Sequence, residues 1–185
     1  MTTAAASART RNASALRNLY FVRFGFAIVW AALMFVIGSS VGPVSATLIV
    51  LYPLFDVAAA IVDARSSGAS GSTRLLYVNI VISTLAAIGM AVALSSGIPG
   101  VLRVWGVWAV VAGLVQLVVA LTRRTMGGQW AMILSGGISV LAGTSFYLQA
   151  AAEGQTLSQV AGYAVLGGIF FLVSAIRLGR AAKGN

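Results

Sequence analysis

Residues 104–121 read VWGVWAVVAGLVQLVVAL, a run that contains one polar side chain, Gln116, and no charged one. At a rise of about 1.5 Å per residue, a helix of this length spans about 27 Å, close to the hydrocarbon thickness of a bilayer. Five other stretches have similar length and polarity. We therefore predict six transmembrane helices over residues 24–40, 44–62, 75–94, 104–121, 130–148 and 158–176.

The composition supports a membrane protein rather than a soluble one. Of the 185 residues, 59% are hydrophobic and 8% are charged, whereas soluble domains are about 25% charged. The apolar runs show no strict alternation with a period of two, which disfavours a transmembrane β-barrel. The sequence predicts an all-α membrane protein with a single six-helix transmembrane domain at residues 20–180.

Two short tails flank the predicted domain. Residues 1–19 are polar, contain arginine and serine but no acid, and are predicted to form a flexible cytoplasmic tail. The same composition is typical of a mitochondrial transit peptide, which is the alternative for this segment. Residues 181–185 are predicted to form a second cytoplasmic tail.

Basic residues mark the ends of the apolar stretches on one side. Placed on the six predicted helices, eleven of the twelve fall on the side that holds both termini, and Arg103 alone falls on the other. Because basic residues accumulate on the cytoplasmic side, both termini are predicted to be cytoplasmic. Topology thus explains the net charge of +9, so we predict the lipid bilayer as a partner and no nucleic acid. The sequence identifies no soluble substrate and leaves homo-oligomer formation open.

The even-numbered helices resemble one another. They end in DVAAAIVDAR (56–65), GLVQLVVALTR (113–123) and GIFFLVSAIR (168–177), and five residues before these runs stand Leu51, Trp108 and Tyr163. Each run begins with a small or acidic residue, continues with apolar residues and ends with arginine. We interpret this as a helical hairpin used three times. All three hairpins start on the same side of the membrane, so the repeats are parallel and related by an axis along the membrane normal.

A second pattern is carried by residues 105–148, WGVWAVVAGLVQLVVALTRRTMGGQWAMILSGGISVLAGTSFYL. Basic residues and a tryptophan lead from one helix into a segment of the form SGxxSxxxG. The matching positions are Gly113, Arg123, Arg124, Trp130, Ser135, Gly136, Ser139 and Gly143. Together with residues 162–180, this stretch resembles the HdeD-like family of small bacterial membrane proteins. The resemblance implies a multi-pass protein of the bacterial inner membrane, associated with acid or envelope stress and without established catalytic residues.

Asp56 is the charged residue that lies deepest inside a predicted helix. It stands six residues before the end of the second apolar stretch, which places it about 9 Å inside. A carboxyl group in a membrane is expected to face the bundle and to be neutral or paired. Asn79 is one expected partner, and Arg23 or Arg74 is the other. Both a structural role and a proton-binding role are open for this group.

Gln116 completes the candidate intramembrane polar site of Asp56, Asn79, Gln116 and Arg23. Its amide is predicted to form a hydrogen bond between helices.

Other conspicuous residues are interpreted as structural. Ser135, Ser139 and Gly143 recur every four residues, and such small side chains let helix backbones approach closely. Trp105 stands at the start of an apolar stretch, where aromatic belts form, and is interpreted as an interface anchor or as a packing residue. Asp63 and Arg65 are predicted to form a solvated charge pair.

Few groups are available for catalysis. The chain contains no Cys, no His and three acids, so we predict no catalytic residue, no metal site and no cofactor. An enzyme is therefore the weakest of three hypotheses. We predict a non-enzymatic HdeD-like membrane protein, and the alternative is a small channel or transporter with Asp56 as its proton or cation site. A polar cavity that reaches Asp56 from one side would favour the alternative.

The topology is testable because the chain has no native cysteine. In intact cells, a membrane-impermeant maleimide should label a Ser96→Cys variant from outside and should leave Ser67→Cys and Gly127→Cys unlabelled until the cells are opened. This follows from the distribution of basic residues. Labelling of Ser67→Cys in intact cells would contradict the predicted orientation.

Overall fold

A computed structural model describes residues 2–66, 71–126 and 129–183, and over these residues the chain is helical and contains no strand. The predicted all-helical class is confirmed for this part of the chain. The α-helices are α1 (Thr2–Ile37), α2 (Pro43–Ser66), α3 (Gly71–Ala93), α4 (Gly97–Thr122), α5 (Gln129–Gln149) and α6 (Ser158–Lys183). Single 3-10 turns occupy Leu94–Ser96 and Arg124–Met126.

Five helical stretches of the described chain are long and apolar enough to cross a membrane. They are Asn12–Ile37, Pro43–Ser66, Thr73–Thr122, Gln129–Gln149 and Ser158–Arg180. The third has 50 residues and contains α3, a 3-10 turn and α4. These helices support a membrane protein.

Two helices begin earlier than the sequence predicts. Helix α1 starts at Thr2, inside the segment predicted to be a tail, because its first residues include many alanines, which favour helix, and because Leu16 and Tyr20 are buried against the bundle. Helix α4 starts at Gly97, where φ is 64°, so the stretch around Pro99 forms its first turn instead of a loop. Ser67 and Gly127, the labelling positions predicted to be cytoplasmic, lie outside the described residues.

The six helices form a closed ring. Each helix contacts the next one along the chain, and α6 contacts α1, with the most extensive contacts between α4 and α5 and between α1 and α6. We call the end where α2 and α4 finish the near end, and the end where α1, α3 and α5 finish the far end. At the far end the Leu157 backbone N–H donates to the Gly38 carbonyl oxygen over 2.9 Å, which joins the start of α6 to the end of α1.

Glycines bring α4 and α5 into backbone contact. A Cβ atom placed on Gly143 would lie 2.6 Å from the Gly106 carbonyl oxygen, and one placed on Gly113 would lie 2.7 Å from the Ser139 Cβ. Both distances are shorter than any normal carbon contact. The predicted close approach along Ser135, Ser139 and Gly143 is therefore confirmed.

Aromatic side chains fill the far half of the ring. Trp30 and Trp105 are buried and their rings stack with centroids 5.4 Å apart, while Tyr52 contacts both rings and Trp108. The Trp30 indole donates to the Leu48 carbonyl oxygen over 2.7 Å. Of the two interpretations of Trp105, packing is confirmed, because its ring is buried and stacks on Trp30 in the core.

The α4–α5 contact predicts a steric penalty that depends on position. Gly143→Ala should lower the free energy of unfolding by about 1–3 kcal/mol, because the added methyl group has no space. Gly137→Ala is the matched control on the same helix, since a Cβ at Gly137 meets nothing within 4 Å. Thermal unfolding in detergent checks the pair, and equal melting temperatures for the two variants would contradict the close contact.

Candidate functional site

A polar cavity of about 120 Å³ lies on the axis of the ring and is lined by residues from all six helices. Its lining includes Asp63 and Arg123 at the near end, and Tyr52, Trp108 and Tyr163 at its deepest level. The volume holds several water molecules. The aromatic cluster of the far half lies beyond this level, so the polar space belongs to one half of the bundle.

Asp56 points into this cavity and accepts hydrogen bonds from three side chains on two helices, α1 and α3. Arg23 of α1 donates through Nη2 to Oδ1 and forms an ion pair with it. Asn79 of α3 donates through Nδ2 to Oδ2 over 2.7 Å, and the Ser83 hydroxyl donates to the same oxygen over 2.8 Å. The structure thus brings Asp56 together with both Arg23 and Asn79, and the alternative partner Arg74 is not needed.

The ion pair is largely removed from solvent and extends further into the bundle. The side chains of Arg23 and Asp56 are 14% and 17% exposed. The guanidinium carbon of Arg23 lies 4.7 Å from the ring centroid of Phe171 on α6, a cation–π contact. On the other side, the Trp108 indole donates to the Ser83 oxygen over 3.1 Å. The network therefore connects α1, α2, α3, α4 and α6.

Ser83 is the donor to Asp56 that the predicted polar site lacks. It follows Asn79 by four residues, so both side chains lie on one face of α3. The spacing of four residues after Asn79 could have predicted Ser83 as a second donor to Asp56.

Gln116 lines the same cavity without bonding to Asp56. Its amide nitrogen donates to the Met132 carbonyl oxygen on α5 over 3.1 Å. This is a bond between helices, of the kind predicted for this residue. Gln116 therefore belongs to the wall of the site, whereas Arg23, Asn79 and Ser83 form its polar centre.

A second buried ion pair lies at the near end of the cavity. Arg123 Nη1 lies 3.0 Å and 2.9 Å from the two carboxylate oxygens of Asp63, and the side chains are 5% and 6% exposed. The predicted solvated pair of Asp63 with Arg65 is wrong. Asp63 faces the cavity, whereas Arg65, two residues later on α2, is exposed. Asp56 and Asp63 are separated by two helical turns, about 10 Å.

Hydroxyl groups continue the polar lining opposite Asp56. The Tyr163 hydroxyl donates to the Ser139 oxygen over 2.8 Å, and Ser139 donates to the Ser135 carbonyl oxygen over 2.8 Å. Two carboxylates, two guanidinium groups and several hydroxyls thus line the cavity, where a small polar ligand could contact them. Among the residues that the structure describes, no three acidic side chains cluster in a way that would hold a metal ion.

No family model, curated protein or solved structure matches this chain. Membership of the HdeD-like family therefore stays a prediction that rests on the sequence pattern alone.

Removing one partner of the buried Asp63–Arg123 pair should destabilise the protein more than removing both partners. Asp63→Asn should lower the free energy of unfolding by roughly 3–5 kcal/mol, because it leaves a buried guanidinium group without its carboxylate. Adding Arg123→Gln to that variant should recover part of the loss, since neither charge then remains. Thermal unfolding of the single and double variants measures this coupling.

The matched control is Arg65→Gln, which removes an exposed arginine of α2 and should change stability by less than about 0.5 kcal/mol. A double variant that is less stable than Asp63→Asn would contradict the assigned pairing.

Proposed function

We propose that this protein is a small membrane channel or transporter in which Asp56 is the proton-binding group. The observation that carries the proposal is the cavity on the ring axis, whose lining extends from the Asp63–Arg123 pair past Asp56 to Tyr52 and Trp108. A purely structural bundle of apolar helices gains nothing from an internal polar space, because buried polar groups are costly unless they are satisfied.

The surroundings of Asp56 favour a proton over a metal cation. Hard cations such as Ca²⁺ take six to eight oxygen ligands, whereas Asp56 offers one carboxylate whose first oxygen already holds Arg23. A metal ion would also meet the positive charge of that guanidinium group. A proton binds to one carboxylate oxygen of Asp56 and breaks only the ion pair with Arg23.

Protonation of Asp56 changes the contacts of the whole network. The neutral carboxyl group loses its charge-assisted bond with Arg23. The guanidinium group then keeps its cation–π contact with Phe171. Asn79 and Ser83 donate to the second oxygen, Oδ2, so they keep the side chain in place while the first oxygen exchanges partners. The Asp63–Arg123 pair stands between this position and the near end, where a proton enters or leaves.

The same proposal includes the finer architecture. Six membrane crossings as three parallel hairpins are supported by the contact of α3 with α4 along the third apolar stretch. They are also supported by two similar bonds, Trp108 to Ser83 and Tyr163 to Ser139, which join an even-numbered helix to the preceding odd-numbered one over 25 and 24 residues. We place both termini in the cytoplasm and the protein in a bacterial inner membrane, and we assign it no enzymatic activity.

The HdeD-like assignment gives this activity a physiological setting. A proton-binding carboxyl group is compatible with a role in acid or envelope stress, which the sequence resemblance implies. The glycines that carry the resemblance, Gly113, Gly136 and Gly143, lie in the α4–α5 contact. They support the framework of the ring, so the resemblance and the proton site concern different parts of the molecule.

Proton flux in proteoliposomes tests the proposal. With an internal pH-sensitive dye and an imposed potassium diffusion potential, the wild-type protein should carry protons. Asp56→Asn should reduce the flux to that of protein-free vesicles, because the amide cannot exchange a proton. The double variant Arg23→Gln with Asp56→Asn should be equally inactive while avoiding an unpaired buried cation, and Asp56→Glu should retain part of the flux.

Glu153→Gln is the matched control, since it makes the same acid-to-amide change at an exposed residue outside the cavity. It should carry protons at the wild-type rate. Melting temperatures of all variants separate loss of function from loss of fold. Wild-type flux in a folded Asp56→Asn protein, or no flux in the wild type, would overturn the proposal.

A further inference from the structure

An apolar groove runs along the outer surface of the ring between α3 and α4. Its volume is about 440 Å³, and its walls include Ile82, Leu85, Val104 and Val107. Leu85 and Val107 are 62% and 51% exposed, so the groove faces outward and is separate from the polar cavity. Along α4 it extends from residue 103 to residue 111, about 12 Å, close to half of a hydrocarbon core of about 30 Å.

Arg103 is the charged residue in the lining of this groove. It is exposed and stands six residues after the start of α4, at the end of the groove nearest the far end of the bundle. No described residue forms an ion pair or hydrogen bond with it: Asp56 and Asp63 are paired with other arginines, and Glu153 forms no salt bridge. A cation beside an exposed apolar groove, and without a partner among the described residues, is free to bind an anionic group from outside the protein.

We propose that this groove binds one anionic phospholipid, with an acyl chain against Leu85 and Val107 and the headgroup phosphate on Arg103. The length of the groove matches the depth of one leaflet, and a long arginine side chain reaches the headgroup level while its stem lies on apolar surface. An anionic lipid supplies the missing negative charge. A zwitterionic lipid carries its own cation and gains less, because one basic residue near an anionic headgroup strengthens binding by about fivefold.

The lipid site can be tested without changing the residues around Asp56. The groove lies outside the ring, and Arg103 and Val107 line the groove but not the cavity. Trp108 contributes to both the groove and the cavity, so it is left unchanged in the test.

Native mass spectrometry of the detergent-solubilised full chain, titrated with phosphatidylglycerol or phosphatidylcholine of equal chain length, tests the headgroup contact. The wild type should bind the first lipid about fivefold more tightly. Arg103→Gln should bind both lipids equally, and the control Arg65→Gln, which removes another exposed arginine, should keep the wild-type preference. An unchanged preference in Arg103→Gln would overturn the proposal.

A second pair of variants tests the acyl-chain contact. Val107→Phe fills the groove and should weaken binding of phosphatidylglycerol although Arg103 is present. Val118→Phe makes the same change at an exposed position of α4 outside the groove and should bind the lipid as the wild type does. If Val107→Phe and Val118→Phe bind phosphatidylglycerol equally well, the lipid does not occupy the groove and this assignment fails.

Discussion

A carboxylate inside a ring of apolar helices has to be matched by a cation or by hydrogen-bond donors, because neither lipid nor apolar side chains solvate it. Asp56 is matched by helices on both sides of α2, through Arg23 and Asn79. Asp63 is matched by Arg123, which follows α4, a helix that is not next to α2 in the ring. The two ion pairs therefore fix the positions of α1, α2 and the end of α4 relative to one another, which apolar packing alone would not do.

The cavity lies where this charge pairing replaces glycine packing. Gly113 faces α5 at the Ser139 Cβ, and Gly168 faces Ala27 of α1 with its Cβ position 3.2 Å away. In the first hairpin the corresponding position is Asp56, which faces α3 and needs room for its carboxylate. The α4–α5 and α1–α6 contacts are accordingly more extensive than the α2–α3 contact. In the proposed hairpin repeat, Asp56 thus stands where the two later hairpins have a glycine.

The polar centre was largely predictable, whereas its second ion pair was not. Asp56 stood out because a charge deep in an apolar run must have a partner, and only a few polar residues lie at its depth. The partner of Asp63 was missed because Arg65 is near in sequence but lies on another face of α2, while Arg123 is sixty residues away. The position of Trp105 stayed open for a related reason: the start of an apolar run is compatible with the interface or with packing, and the stacking on Trp30 from α1 decides for the core.

The closure of the ring has a consequence for biosynthesis. Helix α1 is made first, yet its most extensive contact is with α6, which is made last. Until α6 is inserted, Tyr20 and Arg23 of α1 lack their contacts with Phe171. Contacts between residues so far apart in sequence form slowly, since a long loop must close first. The first helix to be made is therefore the one whose packing is completed last.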